Sequence, residues 1–394
     1  MTPLSTVSLA EDFAAATGRC PDGVWRAPGR VNVIGEHTDY NDGFVLPIAI
    51  REGVAVAAAA AAGRHQRTLT AASRQRPGEQ VTIDLDHLRP GHIDGWGAYV
   101  AGVAWALQER GAGLPGGELI IDGDLPVGAG LSSSAALECA VAAALDALSG
   151  LGLSALELAR IAHTAENEFV GVPCGVMDQM ASMTAVAGHA ILLDTRSLRA
   201  EPVRFSPASA GLTLLVINTN APHALADSEY ADRRQACERA ARLLGVLSLR
   251  DISERDLPRA LGRLHDPMLV RRVRHVVTEN ARVLATASRL RGPMGTSGGL
   301  ASIGPLLTAS HQSLRDDYQV SSAHLDSAVE AALAAGALGA RLTGAGFGGC
   351  AIALAPVGSV PDIVASVDAA FCRRGFVAPA YFPAEPSAGA HRIS

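Results

Sequence analysis

Apolar and polar positions along the chain switch repeatedly between a period near two and a period near 3.6, and the switches mark its elements. Residues 45–50 and 54–62 are apolar runs broken by Arg51, Glu52 and Gly53, which predicts an antiparallel pair of strands joined by a turn. Residues 97–110, 133–148 and 155–169 carry apolar side chains at helical spacing, and 118–121 reads as a short strand. A buried-type strand, LTLLVIN, restarts the pattern after Gly211; a charged helix over 228–244 and further helices to about Arg291 follow it. Residues 292–299 form a loop by composition. The remainder orders as helix 324–335, strand 340–343, glycine loop, strand 350–354, helix 361–373 and strand 377–382, which resembles much of a ferredoxin-like α+β layer. A polar stretch over 196–207 divides the chain near residue 200, giving expected domains 1–200 and 201–394.

Composition narrows the function classes. With 394 residues and 48% hydrophobic side chains the chain can fill sizeable cores. Its formal charge is −6, with no basic cluster interleaved with aromatics, so nucleic acid is not an expected partner. Glu11 and Asp12 stand where a secretory signal would be basic and then apolar, which favours a cytoplasmic location. The apolar run 54–62 is too short to cross a bilayer, which takes about 20 residues, so no membrane span is expected. Cys20, Cys139, Cys174, Cys237, Cys350 and Cys372 are scattered without zinc-type spacing. All 33 basic residues are arginine. Without lysine there is no Walker A loop, no protein-kinase ATP lysine and no Schiff base, so phosphate handling would rest on backbone amides, arginine and a metal.

Four segments carry chemistry. Residues 29–43, GRVNVIGEHTDYNDG, gather a cation, donors and acceptors in one run, which suits a ligand covered in hydroxyls. Residues 124–145, DLPVGAGLSSSAALECAVAAAL, place a glycine turn and three serines before an alanine-rich helix. Such a helix start offers unsatisfied N–H groups to an anion, although serine is also an ordinary N-cap. Residues 341–354, RLTGAGFGGCAIAL, contain GxGxxG but lead into a strand, so the dinucleotide fingerprint fails its context; a glycine hairpin there can lie over a nucleotide or brace another loop. Residues 165–182 bring Glu166 and Glu168 to a helix end and Asp178 into an apolar run, where a carboxylate needs a cation; Arg30 is the natural candidate. A GxSxG match at Gly295, Ser297 and Gly299, with Asp316 and His324 beyond it, lacks the strand a nucleophile elbow requires.

The segments GRVNVIGEHTDYNDG, GAGLSSSAA and LTGAGFGG, in that order, resemble the three motifs of the galactokinases, within the GHMP family of small-molecule kinases. The resemblance extends to residues 227–238, 272–280 and 310–321. It implies an α+β, two-lobed GHMP kinase fold with a mixed-sheet N-terminal domain and a ferredoxin-like C-terminal domain. It also implies transfer of the ATP γ-phosphoryl group to the anomeric hydroxyl of galactose by a monomer. On that resemblance Arg30 and Asp178 are catalytic, and Glu36, His37, Asp39, the backbone at Gly175 and Tyr230 face the sugar. Gly128, Gly130, Leu131, Ser132, Ser133 and Ser134, with Trp96 at the adenine, hold ATP; Ser134 and Glu166, or Ser133, contact Mg2+. Tyr40, Asn41 and Asp42 are left to shape the turn. Related kinases for arabinose or N-acetylgalactosamine would share this pattern. The non-catalytic galactose sensors are marked by a shortened second motif, which is intact here.

Overall fold

The computed structural model describes residues 6–63, 67–126, 130–221, 226–292 and 298–394. Pro47–Ala60 is one unbroken strand, not the two strands and a turn that the sequence predicts. It pairs antiparallel with Gly23–Asn32 and is itself bulged: Pro28 and Arg30, two apart, face Gly53 and Ala49, four apart, so the extra residues lie around Arg51 and Glu52. Gly53 is there for close approach rather than reversal, since a Cβ would stand 2.4 Å from the Ala27 carbonyl oxygen. Along this strand Val54, Val56 and Ala58 enter the main core, while Ala55, Ala57 and Ala59 pack on Leu9 and Phe13 of the helix Thr6–Thr17. Burial on both faces erased the alternation that would have revealed a single strand.

The larger sheet has six strands in the order His391–Arg392, Gly23–Asn32, Pro47–Ala60, Gly117–Gly123, Thr68–Ser73 and Gln80–Asp84. It is mixed: Thr68–Ser73 runs parallel to Gly117–Gly123 and the other pairs are antiparallel. Helices Trp96–Gln108, Ser133–Ser149, Ala155–Thr164 and Met177–Thr184 cluster around its core-facing side. A three-stranded sheet, Phe44–Val45, His189–Asp194 and Arg199–Arg204, carries the N-terminal pairing past residue 200.

The second sheet runs Gly339–Thr343, Cys350–Pro356, Leu212–Asn218, Ala380–Pro383, all antiparallel. With helices Ala323–Ala334 and Val360–Arg374 this is the ferredoxin-like layer. Leu214 and Val216 face the main core and Leu215 and Ile217 face the C-terminal helices, so the sheet is buried on both sides. Between the lobes, fully buried Arg341 donates from Nη1 to the carbonyls of Asn32 (3.2 Å) and Val33 (3.0 Å), and the Thr343 hydroxyl donates to the Asn32 carbonyl (3.0 Å). This seam lies directly beneath the 29–43 run. Among the described residues no helix is long and apolar enough to cross a membrane.

Candidate active site

One cavity between the lobes is lined by Arg30, Glu36, His37, Asp39, Gly130, Leu131, Ser132, Ser133, Ser134, Gly175, Asp178 and Tyr230, and also by Val172, Pro173, Cys174, Met177, Gly344 and Ala345. Residues from five distant segments thus converge. Arg30 is the first residue paired after the register shift, opposite Ala49, beside the bulge in the neighbouring strand. It grips Asp178 with two parallel bonds, Nε to Oδ1 at 2.7 Å and Nη2 to Oδ2 at 2.8 Å, and donates from Nη1 to the Gly130 carbonyl at 2.7 Å. Burial works against the guanidinium's charge, but Asp178 and Glu36 outweigh it and hold Arg30 cationic. Asp178 sits in the first turn of Met177–Thr184, where the helix N-terminus also favours a carboxylate.

The Gly130–Ser134 stretch separates the two readings of its serines. Ser132 precedes helix Ser133–Ser149 in a left-handed conformation, φ 60°, and its side chain makes no capping bond. Its hydroxyl instead donates to Asp178 Oδ2. The helix start is therefore uncapped by its own serine, and Ser133 and Ser134 border the same cavity. Gly128, expected in this loop, lies outside the described residues, as does Ser297 of the GxSxG match.

The sugar-side expectation falls on a tightly tied cluster. Buried Glu36 accepts at Oε1 from the Gly344 N–H (2.8 Å), with the Thr343 hydroxyl oxygen at 3.2 Å and Arg341 Nη2 at 3.4 Å. Asp39 opens the short 3₁₀ turn Asp39–Asn41 and faces Gly175 so closely that a Cβ on Gly175 would stand 1.8 Å from its Oδ2. The Tyr230 ring lies tilted against His37, centroids 5.6 Å apart, and edge-on to Tyr40 at 5.1 Å. Tyr40, left by the sequence to shape the turn, instead joins this aromatic cluster, while Asp42 does form the turn in a left-handed conformation.

Burial, reinforced by Asp178, pushes the Asp39 carboxyl up from 3.8 to about 7. The folded protein therefore holds a proton there that the unfolded chain releases, and stability falls as pH rises through that window. Asp39→Asn removes the penalty. In melts without ligand, its Tm advantage over the parent is expected to be absent at the acid end, to grow between pH 3.8 and about 7, and to stay constant above. An advantage independent of pH would show that Asp39 does not titrate there.

Glu166 lies in a π turn, Ala165–Val170, that continues helix Ala155–Thr164; it is buried while Glu168 is exposed. Burial raises its proton affinity, and a hydrogen bond from Ser134 opposes that. Gln179 Nε2 joins Glu166 (2.6 Å) to Glu138 (3.2 Å), a fully buried acid from the phosphate-loop helix. Sequence reasoning passed over Glu138, although a lone acid in LECAVAAAL was a signal. Trp96 is not brought into the cavity. It begins helix Trp96–Gln108, and its indole N–H donates to Glu79 at 3.3 Å.

Comparison with known proteins follows the same division. Residues 11–60 match the galactokinase galactose-binding signature, 98–185 the GHMP kinases N terminal domain and 295–372 the GHMP kinases C terminal domain. The chain is 47% identical over 387 residues to the galactokinase of Streptomyces coelicolor, covering 98% of each. It is 45% identical to that of Mycobacterium tuberculosis, covering 90% of this chain and 94% of the relative. A crystal structure of Lactococcus lactis galactokinase complexed with galactose superposes with a TM-score of 0.92 at 34% identity, covering 98% and 99% of the two chains. Methanococcus jannaschii mevalonate kinase, at 14% identity and TM-score 0.64 over 92% and 98%, shares the fold alone.

Proposed function

The chain belongs to the galactokinases of the GHMP family and phosphorylates galactose at the expense of ATP, and we propose that Arg30 and Asp178 carry the transfer to the anomeric hydroxyl. The observation behind this is the bidentate Arg30–Asp178 pair at the mouth of the Gly130–Ser134 helix start, in one cavity with Glu36 and Asp39. Asp178 accepts from the attacking hydroxyl and orients it. Arg30 holds the Asp178 carboxyl in place and stabilises charge on the transferring phosphoryl group. Because such transfer is loose, positioning and electrostatics matter more than base strength.

Glu36, His37, Asp39, Tyr230 and the Gly175 backbone form the sugar side. Carboxylates fixed in place by protein donors keep free lone pairs for ring hydroxyls, and an epimer that mis-presents a hydroxyl leaves them unpaired. The backbone of Gly130 to Ser134 takes the phosphates without a lysine. Ser134 and Glu166 supply adjacent oxygen donors suited to Mg2+, and no described cluster of three or more His, Cys, Asp or Glu could hold a metal by itself. That donor set fits an ion that keeps waters and binds substrate phosphates. Bound there, the ion would neutralise phosphate charge. Unpaired cysteines among the described residues agree with a reducing cytoplasm, where we expect the protein to act as a monomer.

Coupled ADP release with galactose, glucose, N-acetylgalactosamine and arabinose tests the reading. Galactose is expected to give the highest kcat/KM, and a better substrate among the other three would overturn it.

A further inference from the structure

His37 lies in the middle of the sugar signature, yet neither of its ring nitrogens is free. Nε2 stands 3.1 Å from the Ala345 carbonyl oxygen. A carbonyl only accepts, so Nε2 carries a proton and donates it. Burial, helped by nearby His275, holds the ring's proton affinity down to about 3, so the imidazole is neutral and Nδ1 is bare. Nδ1 therefore accepts from the Tyr40 hydroxyl at 2.8 Å.

That assignment propagates. With its proton committed to His37, the Tyr40 oxygen can only accept in its 2.8 Å contact with the Tyr318 hydroxyl. Tyr318 in turn has no proton left for Cys237, so the 3.1 Å contact between them runs from S–H to oxygen. Tyr318 and Cys237 are buried, and they come from the π turn Leu314–Tyr318 and the helix Ala226–Leu244. At the other end, Asn41 Nδ2 holds the His37 carbonyl at 2.9 Å, so the ring's backbone is fixed as well as its protonation.

We propose that Cys237, Tyr318 and Tyr40 form a one-way hydrogen-bond chain that fixes His37 as its Nε2–H tautomer, and that His37 is a positioning residue which pins the Ala345 carbonyl. Ala345 and Gly344 line the cavity, and the Gly344 N–H holds Glu36. Pinning Ala345 therefore keeps Glu36 presented to the sugar. Hydroxyl reading falls to Glu36 and Asp39, and the His37 ring offers the sugar no nitrogen. This deepens the galactose-site reading and rests on it.

Long-range 1H–15N correlation on histidine-labelled, unliganded protein tests the chain directly. We expect His37 protonated at Nε2, with an Nδ1 shift typical of a hydrogen-bonded acceptor. Tyr40→Phe should move that shift to the value of an unbonded nitrogen and raise the galactose KM about tenfold, roughly the worth of one net hydrogen bond, with kcat nearly unchanged. An Nδ1–H tautomer in the parent protein, or an unchanged KM in a folded Tyr40→Phe, overturns the proposal. The parent spectrum decides even if the variant does not fold. It is also independent of turnover: a protein inactive on galactose but showing the Nε2–H tautomer would refute the substrate and leave the chain standing.

Discussion

Asp178→Asn is expected to lower kcat for galactose by about 10²–10⁴, the range for loss of a positioned acid–base group, while the protein stays folded. The amide keeps the shape of the carboxylate and one acceptor oxygen, so the bonds from Ser132 and Arg30 can be partly retained. It lacks the charge that Arg30 is held to complement and cannot accept a proton from the attacking hydroxyl. Coupled ADP release measures the loss and circular dichroism the fold. Galactose KM should change far less than kcat, because Asp178 acts chiefly as charge develops on the transferring group. Near-parental kcat in the folded variant would remove Asp178 from the mechanism.

Gly175→Ala is expected to cost about 10² or more in kcat/KM for galactose, since displacements near 1 Å are enough for such losses. The added methyl would stand 1.8 Å from Asp39 Oδ2, so either the carboxylate swings away or the Gly175 backbone retreats. Both outcomes distort the sugar side of the cavity and leave the Gly130–Ser134 side untouched. Nucleotide affinity, followed by titration with a non-hydrolysable ATP analogue, should therefore stay close to that of the parent. Equal losses toward sugar and nucleotide would point to general disruption instead.

Most of the candidate site was legible because its demands are chemical. An aspartate in an apolar run needs a cation, and that argument linked Asp178 to Arg30 across 148 residues. Three serines after GAG pointed to an anion cradle, although only the structure could show that Ser132 turns its hydroxyl to Asp178 rather than to its own helix. What escaped was whatever depends on burial from two sides or on partners far along the chain. Pro47–Ala60 hid its period because alternate residues enter different cores. Tyr40 looked like a turn residue because Tyr318, its partner, lies 278 positions away. Trp96, chosen for its type, stands apart from the cavity, because aromatic identity in a helix start does not say which way that helix faces.

The seam between the lobes bears on how ligands meet this site. Arg341, Thr343 and Gly344 tie the second lobe to Asn32, Val33 and Glu36 immediately under the sugar side. Opening the lobes there would break the bonds of Arg341 and Thr343 to the Asn32 and Val33 carbonyls and of the Gly344 N–H to Glu36 together, so rocking about that seam is disfavoured. The ordering entropy of the galactose half is thereby met once, during folding, and not again at each encounter with substrate. The enzyme meets its sugar with a rigid mould.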